Sequence, residues 1–159
     1  MFAFNNVDFL GFNVSKDGIK PQDRLVETIR SFKRPDNKTE VQRFIGLANF
    51  YRDFIENFAD ICKPLYRLTS NQVEFVWDDK CEKAFNKLKG VLSSQPVLAF
   101  PKFGETFIIE VDASNFAVGG VLLQMDENDD EHPVAYHSTI LKGAQKIGRH
   151  TVRRHLQSL

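Results

Sequence analysis

The chain has 159 residues, equal numbers of basic and acidic side chains, and a hydrophobic fraction of 42%. This length allows one domain or two small ones, and the 15 phenylalanines make a packed core feasible. No long apolar run and no charged-then-apolar leader occurs, so the sequence predicts a soluble, intracellular protein with no membrane segment and no secretory signal. Cys62 and Cys81 lie outside any CxxC motif and are predicted to be reduced, buried thiols.

The formal net charge of zero conceals an uneven distribution of charged residues. Residues 20–52 contain eight cations and four anions, whereas residues 104–140 contain eight anions and no lysine or arginine. A basic helical region attracts phosphates, and an acidic region repels them unless divalent cations intervene. The first region is therefore a candidate nucleic-acid surface, although an ordinary solvated helix face has the same composition.

Residues 7–20 have the pattern of a short β-hairpin. Strand formers occupy Val7–Phe9 and Phe12–Val14, and Asp17-Gly18 is a strong turn signal. Gly11 has no side chain, so it would either let the backbone approach a sugar-phosphate closely or merely relieve a tight bend. The sequence alone leaves both roles open.

Three short helices with buried aromatic residues are predicted next. Pro21 opens the first, which ends at Arg34-Pro35, and residues Thr39–Gln42 have the form of a capping box for the second. An apolar stripe over Phe50–Leu65 predicts the third, with Pro64 at its end or at a further turn. The stripe is predicted to be core, so nucleic-acid binding would belong to the basic face of this small bundle.

A polar break at Thr69–Gln72 precedes a fourth amphipathic helix. Asp79 is predicted to cap this helix, and Trp77 is predicted to pack back over its first turn. Beyond it the hydrophobic period changes to two, which indicates β-strands. The predicted strands cover about residues 106–112, 117–124 and 133–139.

Asp112 is the residue that most suggests chemistry. It ends the first predicted strand of this region and lies beside the second. A carboxylate in such a place is poorly solvated and costly unless it binds a cation or strong donors. Asp112 is therefore the candidate metal ligand and catalytic residue.

A set of short motifs follows a fixed order over residues 7–146. They are Val7-Asp8-Phe9-Leu10-Gly11-Phe12, Asp17-Gly18-Ile19-Lys20-Pro21, Phe44-Ile45-Gly46-Leu47-Ala48-Asn49-Phe50-Tyr51-Arg52-Asp53-Phe54-Ile55, Phe75-Val76-Trp77, Gln95-Pro96-Val97-Leu98, Val111-Asp112-Ala113-Ser114 and His132-Pro133-Val134-Ala135-Tyr136. In this order they resemble the Pol polyprotein of gypsy-type LTR retrotransposons, from late reverse transcriptase into ribonuclease H. Each motif is weak alone, and the ordered set is specific.

The resemblance implies an α+β fold made of four parts. These are the end of the palm hairpin (1–20), a small helical thumb (21–70), a connector (71–103) and an incomplete RNase H-like mixed sheet (104–159). The parent polyprotein would synthesise DNA on an RNA template and cleave RNA in RNA–DNA hybrids with Mg²⁺. Its partners would be an RNA–DNA hybrid or primer–template duplex and the remainder of Pol.

The resemblance also assigns roles to individual residues. The hairpin resembles the primer grip, in which Leu10 and Gly11 would hold the primer end. Asp112 matches the first of the carboxylates that hold two magnesium ions, one activating water and the other stabilising the leaving oxygen. Basic residues of the thumb would contact the duplex weakly. They are Lys33, Arg34, Lys38 and Arg43.

Other catalytic groups of the family have no counterpart in this sequence. The family's second carboxylate lies on a helix after the third strand, where this chain has Arg154, and no acidic residue follows Glu131. A cation there would repel magnesium and compete with it for Asp112. No Asp-Asp pair follows a Tyr-x dipeptide, so the polymerase aspartates are missing too. We therefore expect no stable Mg²⁺ site and no catalysis by this chain alone.

Residues 147–159 are interpreted as a frameshift. With one added base, a permissible back-translation encodes Asn-Trp-Pro-Pro-Tyr-Ser-Lys-Glu-Ala-Phe-Ala-Ile-Val, which the family places after a Gln-Lys pair such as Gln145-Lys146. The encoding nucleotides decide this hypothesis, and Met1 is interpreted as an internal start or a truncated gene model. The alternative is a domesticated, non-enzymatic nucleic-acid-binding protein whose basic tail was selected.

Overall fold

The computed structural model describes residues 5–141 and 150–156 and confirms the α+β class. Gln145-Lys146 and residues 147–149 and 157–159 of the predicted frameshift lie outside these ranges. No helix within the described residues is both long enough and apolar enough to cross a bilayer. The elements in chain order are β1 (Asn6–Phe9), β2 (Phe12–Ser15), β3 (Gly18–Pro21), α1 (Asp23–Arg30), α2 (Lys38–Phe50), a 3-10 turn (Arg52–Phe54), α3 (Phe58–Thr69), α4 (Asp79–Ser93), β4 (Phe107–Ala113), β5 (Ala117–Met125), β6 (Glu131–Ile140) and β7 (His150–Leu156).

The N-terminal strands form an antiparallel sheet in the order β1-β2-β3. β1 and β2 are the predicted hairpin, and β3 adds a third strand after the Asp17-Gly18 turn. Pro21, predicted to open the first helix, instead ends β3, where it pairs with Phe12. Proline is tolerated there because β3 is an edge strand of this sheet. The outer side of β3 is bridged by the connector, since Ile19 and Leu98 exchange two backbone hydrogen bonds.

The helices surround an aromatic core. Phe44 of α2 lies 4.6 Å from Phe85 of α4 and 5.3 Å from Phe32, measured between ring centroids. Trp77 makes a T-shaped contact with Phe85 and donates its indole N–H to Glu82 at 2.6 Å, which confirms the predicted packing of Trp77 over the first turn of α4. These rings hold α2 and α4 together and leave the outward faces of the helices in solvent.

Two helix caps differ from the sequence prediction by one or two residues. Asn37, not Thr39, caps α2 by accepting a hydrogen bond from the Glu40 backbone N–H at 2.9 Å. Asp78, not Asp79, caps α4 by accepting from the Cys81 N–H at 2.9 Å. Both capping residues have extended backbones, which an N-cap requires, whereas the residues that follow them are already helical.

The third predicted stripe is divided into two helical pieces. The 3-10 turn follows α2, and Asn57 then adopts a left-handed conformation with φ of +53° before α3 begins. Pro64 lies inside α3 rather than at its end. The apolar face of α3 remains buried through Phe58 and Leu65, so packing outweighs the hydrogen bond that Pro64 cannot donate.

The C-terminal strands form a four-stranded sheet in the order β6-β5-β4-β7, with antiparallel pairing throughout its described ladders. The three predicted strands are confirmed with small shifts at their ends. The resemblance implied a helix after the third strand, but residues 150–156 instead form β7 along β4. The alternation around Thr151 and Val152 suits an edge strand, and β7 supplies partners for the backbone groups of β4.

Both cysteine predictions are confirmed, since Cys62 and Cys81 are buried and free. Burial raises the pKa of the Cys62 thiol to about 12. The Cys81 thiol points to the carbonyl oxygen of Pro64 at 3.8 Å. These thiols therefore belong to the core of the helical bundle.

Polar contacts join the helical bundle to the second sheet. The hydroxyl of Ser138 accepts a hydrogen bond from the Ala59 backbone N–H at 3.0 Å, and Arg52 donates to the carbonyl oxygen of Ser138. The hydroxyl of Ser114 donates to the Asp60 carboxylate at 2.9 Å. These contacts place the start of α3 directly against the face of the sheet that carries Asp112.

Candidate functional site

The β1–β2 turn presents an exposed apolar tip, which we define as Phe9–Gly11. Leu10 and Gly11 both have positive φ, +47° and +87°, as a two-residue type I′ hairpin turn requires. Phe9 is 63% exposed and Leu10 is 74% exposed. A leucine in the left-handed conformation costs roughly 1 kcal/mol. The turn at Leu10 is therefore strained, and its side chain lies in solvent.

The hairpin tip is held against the end of α2. The carbonyl oxygen of Gly11 accepts a hydrogen bond from the Tyr51 hydroxyl at 2.8 Å and another from the Gln22 backbone N–H at 3.0 Å. A Cβ on Gly11 would lie 3.0 Å from the ring of Phe50 and 3.2 Å from Leu25. Gly11 is therefore required both by its φ and by the space available, and its carbonyl is directed into the protein.

One face of α2 leads from the basic region to the hairpin tip. Its residues recur at three- and four-residue spacing, which places them on one side of the helix. The mid-helix Gly46 is exposed, and a Cβ added there would meet no neighbouring atom within 4 Å, so the face has a bare backbone patch at its centre. The exposed residues of this α2 face are Gln42, Arg43, Gly46, Asn49 and Phe50.

The four basic residues predicted to contact a duplex have different environments. Lys33 and Arg43 are exposed. The Arg34 guanidinium lies over the ring of Trp77 at 5.6 Å and 3.9 Å from Glu82. The ammonium group of Lys38 is half-buried and donates to two carbonyl oxygens of the loop after α3. They belong to Ser70, at 2.7 Å, and Val73, at 2.5 Å.

Asp112 lies on the sheet face that meets the helical bundle. It is half-buried in β4, between Gly119 of β5 and Thr151 of β7, and the Thr151 hydroxyl donates to its carboxylate at 3.3 Å. Asn57 lies directly above Gly119, so a Cβ on that glycine would overlap the side-chain oxygen of Asn57. The left-handed turn before α3 therefore forms one wall of the Asp112 site.

A cavity of about 190 Å³ opens beside Asp112. We call it the Asp112 pocket. Its wall contains three carboxylates, those of Glu56, Glu110 and Asp112, together with the Asn57 amide. Glu110 is paired with Arg153, whose Nη1 lies 2.8 Å from the Glu110 carboxylate and whose Nη2 contacts Glu131.

The cation on the Asp112 face is Arg153, which corrects the expectation for Arg154. Paired residues of antiparallel strands project to the same side of a sheet. Arg153 pairs with Glu110, whereas Arg154 pairs with Ile109 and projects to the opposite side. Arg154 therefore cannot compete for Asp112, and the neighbouring Arg153 carries the positive charge of this face.

Sequence reasoning missed three residues that shape these sites. The pattern places Tyr51 only in the apolar stripe, although its hydroxyl holds the hairpin tip. Asn57 has a single sequence signal, which is that asparagine tolerates a left-handed conformation before a helix. The contact between Arg153 and Glu110 depends on strand register, for which the sequence of the tail carries no local signal.

Comparison with known proteins identifies the family. The model of the RNase H-like domain found in reverse transcriptase matches residues 77–157, which is half of the chain, so the chain belongs to this family. Its curated relatives are retrotransposon Pol polyproteins of the gypsy type, which confirms the resemblance seen in the sequence. The region represented is the reverse transcriptase and RNase H-like part of Pol.

Individual relatives are much longer than this chain. It is 37% identical over 156 residues to the Pol polyprotein of the Drosophila melanogaster transposon opus, and 39% identical over 137 residues to that of transposon 412. The aligned regions cover 91% and 86% of this chain but only 16% and 11% of those polyproteins. The chain thus spans well under a fifth of the curated relatives that it matches.

Solved structures of a foamy viral protease–reverse transcriptase share the fold. One, in complex with double-stranded DNA, superposes with a TM-score of 0.68 at 25% identity and covers 86% of this chain and 24% of its own. Another, in complex with an RNA/DNA hybrid, has a TM-score of 0.67 at 25% identity and covers 87% and 19%.

The donor groups around Asp112 do not fit the metal pair that the family implies. Two divalent ions need several converging carboxylates. Glu110 is already paired with Arg153, Glu56 accepts a hydrogen bond from the Asn57 amide at 3.3 Å, and Asp112 accepts one from the Thr151 hydroxyl. Within residues 5–141 and 150–156, no three Asp, Glu, His or Cys side chains form a group that could hold a metal ion. No catalytic step can be derived through a metal from these residues.

Proposed function

We propose that this chain is a duplex-contacting part of a retrotransposon Pol polyprotein. β1–β3 are the end of the palm, which the sequence places at 1–20 and which β3 extends to Pro21. α1–α3 (within 21–70) are the thumb, α4 lies in the connector (71–103), and β4–β7 (within 104–159) are RNase H-like. The substrate class is an RNA–DNA hybrid or a primer–template duplex, which the chain contacts without cleaving it.

The observation that carries this proposal is the fixed spacing between the hairpin tip and the α2 face. Tyr51 joins them by its hydrogen bond to Gly11, and Phe50 packs against the same glycine. Leu10 is thereby held in solvent at one end of α2, and Arg43 lies along the same helix. A helix rises about 1.5 Å per residue, so Arg43 and Phe50 are roughly 10 Å apart along α2. Both residues can therefore contact the same groove of a duplex.

The chemistry of this surface suits a nucleic-acid backbone rather than a particular base sequence. Lys33, Arg34 and Arg43 supply positive charge for phosphates, and Gly46 leaves room for a sugar-phosphate strand to approach the helix. The apolar tip at Leu10 would contact a sugar or base edge. Lys38 has a different proposed role. Its ammonium group donates to two carbonyl oxygens of the loop after α3 and so holds this loop against the start of α2.

The RNase H-like half is proposed to be inactive in this chain. The parent enzyme would use Mg²⁺ held by several carboxylates, with Asp112 as the first of them. Here the other nearby carboxylate on β4, Glu110, is bound by a guanidinium. Asp112 would then contribute only to local charge and to the contact with Thr151.

A pair of assays on the purified chain tests this proposal. Fluorescence anisotropy with a labelled RNA–DNA hybrid should show binding that weakens steeply as salt rises, since phosphate contacts release counterions. Incubation of the same hybrid with Mg²⁺ should leave the RNA strand intact. Cleavage that disappears in Asp112→Asn would refute the inactive assignment, and binding that is absent at low salt would refute the duplex interface.

A further inference from the structure

We infer that Arg153 is the internal counter-ion of the Asp112 pocket and excludes divalent cations from it. Its guanidinium supplies the positive charge that this group of carboxylates requires. The inference follows from the mismatch between the donor groups and a metal pair. It does not depend on nucleic-acid binding, so either idea can fail without the other.

The strand register places Arg153 at the pocket. β7 pairs with β4 so that Thr151 lies opposite Asp112 and Arg153 lies opposite Glu110. Both β7 side chains therefore share the face of the two β4 carboxylates. Thr151 donates to Asp112, and the single guanidinium of Arg153 bridges Glu110 and Glu131.

The charge balance of the pocket explains why this guanidinium matters. Among the described residues, three carboxylates line the cavity and no lysine or arginine does. Arg153 reaches the pocket by its ion pair with Glu110, and the acidic neighbours raise the already high pKa of its guanidinium, so it stays charged. A divalent ion would have to displace this fixed charge or approach against it, because Glu110 is the pocket carboxylate that shares a strand and a sheet face with Asp112.

Removing the charge should leave the fold largely unchanged. The side chains of Arg153, Glu110 and Glu131 are 43%, 34% and 37% exposed, and ion pairs at this exposure contribute little to stability. The effect on a bound cation is larger, because one unit of positive charge a few ångströms away is removed. Loss of that repulsion is expected to tighten divalent binding roughly tenfold or more.

Arg154 provides a matched control on the same strand. It is adjacent in sequence, carries the same charge and is likewise exposed, but it lies opposite Ile109 on the other side of the sheet. Arg154→Ala therefore changes the net charge and composition of the chain as Arg153→Ala does. Only the second removes the ion pair with Glu110.

The test is a titration of the full chain with Mn²⁺, in which free Mn²⁺ is followed by its EPR signal. Arg153→Ala should bind one Mn²⁺ about tenfold more tightly than the unchanged chain, whereas Arg154→Ala should stay within about twofold of it. Arg153→Lys retains the positive charge and should also behave like the unchanged chain.

Circular dichroism verifies that each variant keeps its strands, and Arg153→Gln replaces the alanine variant if the latter loses them. Equal Mn²⁺ affinity in the unchanged chain and in the neutral Arg153 variant would overturn the inference. So would an equal gain from Arg154→Ala, because the effect would then be one of net charge rather than of this pocket.

Discussion

Tyr51 donates its hydroxyl proton to the carbonyl oxygen of Gly11 at 2.8 Å, and this contact fixes the hairpin tip against the end of α2. Tyr51 is fully buried, and burial raises its pKa to about 12. The hydroxyl therefore remains a donor at any ordinary pH. Because the tip and the α2 face are the two halves of the proposed duplex surface, their relative position depends on this residue.

Tyr51→Phe should weaken both the fold and duplex binding. The loss of one hydrogen bond predicts a decrease of about 0.5–1.5 kcal/mol in the free energy of unfolding, since Gln22 still satisfies the Gly11 carbonyl. Urea denaturation measures this change. Tyr66→Phe is the control, because Tyr66 is a half-buried tyrosine whose hydroxyl makes no hydrogen bond to the described residues. An equal loss of stability in Tyr51→Phe and Tyr66→Phe would show that the hydrogen bond to Gly11 does not account for the effect.

Gly46→Ala should stabilise the chain and weaken its binding to a duplex. Alanine is favoured over glycine inside a helix by about 0.5–1 kcal/mol, and nothing obstructs a methyl group at this place. The same methyl group would occupy the bare patch of the α2 face. Gly90→Ala in α4 is the matched control, since a Cβ added at Gly90 also meets no atom within 4 Å. This variant should stabilise the chain without changing its affinity for the duplex. If Gly46→Ala bound the duplex with unchanged affinity, the bare patch at Gly46 would not be part of the interface.

Gly119→Ala should destabilise the junction between the bundle and the second sheet. Its methyl group would overlap the side chain of Asn57, and overpacking of this kind costs about 1–3 kcal/mol. Adding Asn57→Gly removes the obstruction and suits the left-handed φ of that residue, so the double variant should recover most of the loss. Chemical denaturation of the two variants decides the matter. No recovery in the double variant would mean that the strain arises elsewhere.

The local features of this fold could be predicted from sequence, and the long-range contacts could not. Apolar period and turn residues predicted β1–β3, the helical bundle and β4–β6, because these signals lie within a few residues of each other. The caps at Asn37 and Asp78 were displaced because several polar residues compete at each helix start. The position of Asn57 over Gly119 and the pairing of Arg153 with Glu110 join distant segments, so only the folded register could show them.

Acid should destabilise the chain through two carboxylates. The Cys81 backbone N–H holds the pKa of Asp78 at about 2, and the hydrogen bond with His132 holds that of Asp126 at about 2, both below the ordinary value of 3.8. A lowered folded pKa gives stability that is present above pH 3.8 and is lost as the pH falls towards 2.

Asp78→Asn isolates the contribution of the α4 cap. Asparagine keeps an oxygen that can accept from Cys81 but has no proton to bind in this range, so the decline in unfolding free energy between about pH 4 and pH 2 should become shallower. Denaturation curves at successive pH values measure the slope. An unchanged slope would mean that protonation of Asp78 does not contribute to the acid destabilisation of the chain.

The central claim, that the α2 face contacts a nucleic-acid duplex, is tested most directly by charge reversal at Arg43. The measurement is the salt dependence of RNA–DNA hybrid affinity for the unchanged chain, for Arg43→Glu and for Lys102→Glu, which reverses an exposed cation beside the second sheet. The account predicts that Arg43→Glu weakens binding at least about tenfold and lowers the salt slope by about one, while Lys102→Glu changes neither appreciably. Equal effects of the two reversals, or no effect of either, would contradict it.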